Sequence, residues 1–144
     1  MPILNDTQKA QILAQSKVIV IIGLSPDPTK PSYKVAAYLQ EQGYNIIPIY
    51  PKGGEILGQE VFPTLQECAL ALRAQNISID IINIFRKSEA LPQIAQEILE
   101  LELKPRCIWV QLGLQNTAAN TMLTQAGIAY EEGSCIKLEH QRLR

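Results

Sequence analysis

The sequence predicts an α/β fold, namely a Rossmann-like doubly wound parallel sheet of about five strands with helices on both faces. Short runs of almost continuously apolar residues are typical of parallel strands that are buried on both faces. These runs alternate with segments whose apolar residues follow the helical repeat, and such alternation favours a doubly wound sheet with right-handed crossovers. The chain has 144 residues, and we expect one domain over 1–144 because it contains no repeat or linker.

Five segments are predicted to form the sheet. The first four are rich in isoleucine, valine and other apolar residues, and the fifth is shorter. They are residues 17–23, 45–50, 79–85, 106–111 and 128–131.

Helices are predicted between the strands from capping residues and apolar stripes. Thr64 and Glu67 have the spacing of a capping box. Gly43 and Gly127 are predicted to end helices, because glycine readily adopts the left-handed conformation that follows a helix C-terminus. The expected N-caps are Asn5 or Asp6, Thr64, Ser88 and Asn116, and a further helix is expected to begin near Pro31 and Ser32.

The composition favours a cytoplasmic protein. The formal net charge of −1, with 19% charged and 47% hydrophobic residues, does not favour binding to nucleic acid or to an acidic membrane. No apolar run is long enough to span a bilayer, and the first residues lack the pattern of a signal peptide. Cys68, Cys107 and Cys135 have no paired spacing, so we expect reduced thiols and no metal site.

The turn after the first strand is the strongest candidate binding site. Ligands of such folds bind at the carboxyl ends of the strands, and here a glycine is followed by hydroxyls, a lysine and a helix N-terminus, which together suit a phosphate group. The alternative is a rigid proline-rich connection with no ligand. The candidate residues of this turn are Gly23, Leu24, Ser25, Lys30, Pro31 and Ser32.

The other strand ends supply further candidates. The position where an NAD-binding domain carries an acidic residue is occupied by Tyr50 and Pro51, and the Lys52 that follows would suit a phosphorylated ribose. Phe85 and Arg86 could stack on a nucleotide or pair with its charge. The alternatives are that Lys52 is a solvated lysine in an ordinary turn and that Arg86 is a surface arginine without a ligand. Gln111 and Gly113 are expected to border the same pocket.

Candidates for catalysis are few. His140, the only histidine, follows Cys135 by five residues, which could indicate a nucleophile and a base. No orienting acid or oxyanion loop accompanies the pair, and the alternative is a C-terminal segment folded back on the sheet. We therefore expect no catalytic residues.

The sequence resembles the small stand-alone CoA-binding proteins, which are related in fold to the CoA-binding domain of the succinyl-CoA synthetase alpha subunit. The resemblance covers nearly the whole chain from about Val18. It rests on VIIGLS at 20–25, KPSY at 30–33, YL at 38–39, GY at 43–44, IYP at 49–51, ILG at 56–58, FR at 85–86, WVQLG at 109–113 and CIKLEH at 135–140.

The resemblance implies that coenzyme A (CoA) lies across the strand ends, with Lys52 facing the phosphate-bearing end of the nucleotide. The family usually has asparagine where this chain has Tyr50, which could stack on adenine instead. The hypothesis is a non-catalytic protein that binds CoA or an acyl-CoA. The alternatives are an NADP-dependent reductase, with Lys52 or Arg86 at the 2′-phosphate, and a ligand-free module that docks a protein partner. The residues do not distinguish free CoA from acyl-CoA.

Overall fold

The computed structural model describes residues 4–144. Helices alternate with the strands of the main sheet, a short hairpin follows the second of these strands, and a 3-10 turn (Ser88–Ala90) precedes the fourth helix. In order, the elements are α1 (Asp6–Gln15), β1 (Val18–Ile22), α2 (Pro31–Glu41), β2 (Asn45–Ile49), β3 (Glu55–Ile56), β4 (Gln59–Glu60), α3 (Leu65–Ala74), β5 (Ile81–Ile84), α4 (Leu91–Glu100), β6 (Cys107–Val110), α5 (Thr117–Gln125), β7 (Ala129–Glu131) and α6 (Ile136–Leu143).

The main sheet has five parallel strands in the order β2-β1-β5-β6-β7, which confirms the predicted fold class. In its register Ile19 of β1 pairs with Ile46 of β2 on one side and with Ile81 of β5 on the other. Strand β2 lies on one side of β1, and the chain then crosses to β5 on the other side of β1. The ends of β1 and β5 therefore form the switch point at which doubly wound folds bind ligands.

The two faces of the sheet have separate hydrophobic cores, as expected from side chains that alternate along each strand. Val20 and Ile22 of β1 pack beneath α3, α4 and α5. Ile19 and Ile21 pack on the opposite face beneath α1, α2 and α6, together with the fully buried Trp109. None of the helices within residues 4–144 has the length and hydrophobicity needed to cross a bilayer.

Most of the predicted caps are confirmed. Asn5 forms a reciprocal capping box with Gln8, and the side chains of Thr64 and Asn116 accept backbone N–H groups of their helices. Gly43 follows the last residues of α2 with a φ of +97°, in the left-handed region that ends helices.

The prediction that Ser88 caps the fourth helix is wrong. Ala90 is the N-cap of α4, and no side chain caps that terminus. Ser88 begins the 3-10 turn instead, where its hydroxyl accepts the Gln115 N–H at 3.1 Å and its carbonyl accepts the Asn116 amide at 3.3 Å. The serine therefore joins the loop after β5 to the loop after β6.

Ion pairs connect the first helix to the last helix and to the edge strand β7. Lys9 Nζ is 3.2 Å from Glu131 Oε2 and 3.3 Å from Glu139 Oε1. Arg142 Nε is 2.7 Å from Glu139 Oε2, and its two terminal nitrogens donate to the Asp6 carboxylate at 2.8 and 2.9 Å. The C-terminal segment thus folds back onto the sheet as helix α6.

Candidate functional site

Gly23 lies at the switch point, where the ends of β1 and β5 come together. Its N–H donates to Ile49 O at 3.0 Å, and the Phe85 N–H donates to Ile22 O at 2.8 Å. A β-carbon at position 23 would be 2.5 Å from Phe85 O and 3.1 Å from Arg86 Cδ, and φ is +85°. Both the backbone conformation and the available space therefore require glycine.

The turn that follows is held by its own side chains. The Ser25 N–H donates to Ser32 Oγ at 3.0 Å, and the Asp27 N–H donates to Ser25 Oγ at 3.1 Å. Thr29 donates its N–H and its hydroxyl to Asp27 Oδ1 at 2.9 and 2.8 Å, and these bonds lower the pKa of Asp27. Because both serine oxygens act here as acceptors, their hydroxyl hydrogens remain available to donate to an anion.

Helix α2 begins at this turn with an open N-terminus. Lys30 is the N-cap, Pro31 is the first helical residue, and no side chain caps the first turn. The N–H groups and the positive end of the helix dipole consequently face the same space as the serine hydroxyls, an arrangement that attracts anions.

A groove of about 470 Å³ opens between these elements at the carboxyl edge of the sheet. Its walls come from the first turn with the start of α2, from the residues after β5 and from the turn after β6. The lining residues are Gly23, Ser25, Lys30, Pro31, Ser32, Phe85, Arg86, Lys87, Gln111, Leu112 and Leu114.

The charge of the groove has one sign. Lys30, Arg86 and Lys87 line it, and no carboxylate among residues 4–144 does, although acidic residues outnumber basic ones by 14 to 13 in the chain. Within residues 4–144, none of the three cations has a carboxylate partner within 4.0 Å. A groove whose cations form no ion pair and lie beside a helix N-terminus favours a ligand that carries several negative charges.

Five of the thirteen candidate residues lie outside the groove lining. Leu24 is fully buried in the core beneath α2. Tyr50, Pro51 and Lys52 belong to the turn after β2, one strand from the groove, where the Gly53 N–H donates to Tyr50 O at 3.0 Å. The last one, Gly113, lies at the exposed tip of the turn after β6.

Three groove residues were not among the candidates, namely Lys87, Leu112 and Leu114. Each is within two residues of a predicted one, so the rule that strand ends bear the site would have included them. Gln111 was predicted, and its side-chain oxygen is shielded from solvent without a hydrogen-bond partner in the described part of the chain.

The structure places His140 against tyrosines. His140 Nδ1 is 2.7 Å from Tyr38 Oη, and burial, followed by the charge of Arg144, lowers the pKa of the imidazole. Cys135 is buried at the start of α6. No cluster of three histidine, cysteine or carboxylate groups suited to a metal ion occurs between residues 4 and 144.

A second cavity, of about 310 Å³, lies at the opposite edge of the sheet and is lined by residues near the C-termini of α1 and α6 and by the residues that follow α2. Lys17 and Arg144 line it, and cations stabilise the negative ends of helix dipoles. Lys17 and Arg144 therefore stabilise helix C-termini, a role that requires no ligand.

Comparison with known proteins identifies the family of this chain. The family described as CoA binding domain matches residues 17–141. The chain belongs to the CoA binding domain family. Its relative "Uncharacterized protein YneT" of Bacillus subtilis (strain 168) is 38% identical over 130 residues, which is 90% of each protein.

Solved structures have the same α/β fold. The structure of "cell-free ID.343 from Thermus thermophilus" is 31% identical, with a TM-score of 0.83 over 98% of this chain and 100% of that one. A "hypothetical protein from Pyrococcus horikoshii OT3" is 27% identical, with a TM-score of 0.85 over 97% of this chain and 92% of that one. The likeness therefore extends over nearly the whole chain.

Proposed function

We propose that this protein binds CoA in the cytoplasm, in the groove at the carboxyl edge of the sheet, and performs no chemical step on it. The observation that carries the proposal is the groove lined by Lys30, Arg86 and Lys87 with no carboxylate. CoA carries a pyrophosphate and a 3′-phosphate, so it supplies the several negative charges that such a groove favours. Membership of the CoA binding domain family supports the same ligand.

The pyrophosphate would lie over the first turn. The open N-terminus of α2 and the hydroxyls of Ser25 and Ser32 would donate hydrogen bonds there, and Lys30 would add charge. Charge-assisted hydrogen bonds contribute about 1.5–3 kcal/mol each when well formed. Because these groups line an open groove, we expect reversible binding with a Kd on the order of micromolar.

The pantetheine arm of CoA would extend across the end of β5 towards β6. The unpartnered Gln111 oxygen is an acceptor on that path, and the amide N–H groups of the pantetheine arm are donors. A ligand donor that moved within reach of this oxygen would satisfy it and remove the cost of a buried unpaired acceptor.

Thermal unfolding with CoA, NADP, NAD and ATP in parallel tests the ligand. A ligand present at 100 times its Kd adds about 2.7 kcal/mol to the free energy of unfolding, which raises Tm by several degrees at this chain length. A shift with CoA alone is expected. A shift with NADP alone would replace the proposal by the reductase, and no shift with any of them would favour a protein-docking module.

Calorimetric titration of variants tests the site. Alanine at Lys30, Arg86 or Lys87 is expected to cost about 1–2 kcal/mol of CoA binding, or about five- to thirtyfold in Kd. Lys104→Ala is the matched control, because this exposed lysine lies before β6 at the opposite edge of the sheet. Equal affinities for all four variants and the parent chain would refute the assignment of the groove.

A further inference from the structure

The turn after β6 presents a leucine to the solvent at the rim of the groove. Leu112 lines the groove and is 55% exposed. Its neighbours Leu114 and Phe85 also line the groove but pack against the two hydrophobic cores, whereas Leu112 belongs to neither core. The folded chain therefore leaves one apolar side chain of the groove without an apolar partner.

Hydrogen bonds on both sides fix the position of this leucine. The Leu114 N–H donates to Gln111 O at 3.1 Å and closes the turn, in which Gly113 has a φ of +91°. Immediately after the turn, Ser88 accepts the Gln115 N–H at 3.1 Å. The exposure of Leu112 is thus a property of a well-anchored turn.

Leu112, which we call the apolar rim, lies at the far end of the groove from the open N-terminus of α2. Strands β1, β5 and β6 are consecutive in the sheet, and at about 4.8 Å per strand the turn after β6 is roughly 10 Å from the turn after β1. A CoA whose pyrophosphate occupies the first turn would direct its pantetheine arm across this distance, so that the sulfur end reaches the rim.

We propose that the protein binds short-chain acyl-CoA thioesters more tightly than free CoA, because the acyl chain packs against Leu112, with Leu114 and Phe85 beside it. The inference rests on the proposed function, since it requires CoA in the groove. Complete burial of one methylene group raises affinity about fourfold, and partial burial against the half-exposed Leu112 would raise it roughly twofold. Hexanoyl-CoA, which has four more methylenes than acetyl-CoA, is then expected to bind on the order of tenfold more tightly.

Calorimetric titration with CoA, acetyl-CoA, butyryl-CoA and hexanoyl-CoA tests the inference on the parent chain and on two variants. Leu112→Ser is expected to reduce the gain from acetyl-CoA to hexanoyl-CoA to about threefold or less. Leu70→Ser is the matched control, because Leu70 is 57% exposed on α3 outside the groove, and the full gain should persist there.

The outcomes separate the inference from the proposed function. CoA binding without a gain along the acyl series, or with the same gain in both serine variants, would overturn the inference and leave CoA binding intact. Absence of binding for every CoA compound would overturn the proposed function itself.

Discussion

Replacing Gly23 with alanine is expected to destabilise the fold and the groove together. The left-handed backbone costs a residue with a β-carbon about 1–2 kcal/mol. The new methyl group would also be 2.5 Å from Phe85 O, and relief of such an overlap by backbone shifts costs about 1–3 kcal/mol. The expected loss is therefore about 2–5 kcal/mol of unfolding free energy, measured by urea unfolding at equilibrium.

Gly113→Ala separates the two contributions. Gly113 has a similar φ of +91°, but no atom lies within 4 Å of a β-carbon built there, so only the backbone cost of about 1–2 kcal/mol applies. CoA affinity should also fall in Gly23→Ala, because the contact to be relieved is with the groove wall. Equal loss of stability in the two variants would refute the argument from close approach.

Further predictions concern the ion pairs, the second turn and the first turn. Lys9→Met should cost about 3–5 kcal/mol in urea unfolding at pH 7, because the buried Glu131 loses its cation, and a loss below 1 kcal/mol would contradict this. Burial by itself would lower the pKa of Lys9, but hydrogen bonds and charges from Glu131 and Glu139 raise that pKa above its ordinary value of 10.5. The stabilisation of the fold by Lys9 is therefore complete below that pH and is lost as the pH rises through the pKa of the folded state. This loss should be absent in Lys9→Met. If Lys52 faces the 3′-phosphate, Lys52→Ala should weaken CoA binding in calorimetry but not dephospho-CoA binding, and equal effects on both would contradict that role. Ser32→Ala should cost about 1–3 kcal/mol by leaving the Ser25 N–H unpaired, and an unchanged urea midpoint would count against it.

The sheet and its order of elements were predictable because burial on both faces leaves a strong pattern. Strand β1 is apolar at every position, and a segment of this kind fits few environments other than the centre of a parallel sheet. Asn116 was likewise predictable as a cap, because capping depends on one side chain and the backbone three residues ahead.

Features that depend on long-range contacts were not predictable. Ser88 has the residue type of a cap, yet its actual partners come from the loop after β6. The hairpin of β3 and β4 has only two residues in each strand, which is too short for periodicity to reveal. Helix α6 is fixed by partners such as Asp6, which is 136 positions from Arg142 in the sequence.

The position of the candidate site at the strand ends was predictable, but the boundary of the groove was not. The rule that ligands bind at strand ends selected Lys30 and Arg86, and both residues line one groove. The same rule gave no means of separating the groove from the turn at Lys52, since that distinction depends on how each turn leaves the sheet. The exposure of Leu112 likewise depends on the shape of its turn.

The ion pairs between α1 and α6 have a consequence for the order in which the protein can form during synthesis. The ribosome makes the chain from the N-terminus at about 5–20 residues per second, so Asp6 and Lys9 are made before their α6 partners, which lie 136 and 130 positions later in the sequence. Until α6 is made, the sheet face that it covers in the folded protein, where Trp109 is fully buried, stays accessible to water. We therefore expect a nascent chain stalled before residue 136 to bind hydrophobic-surface chaperones, and release of the last helix to end that binding.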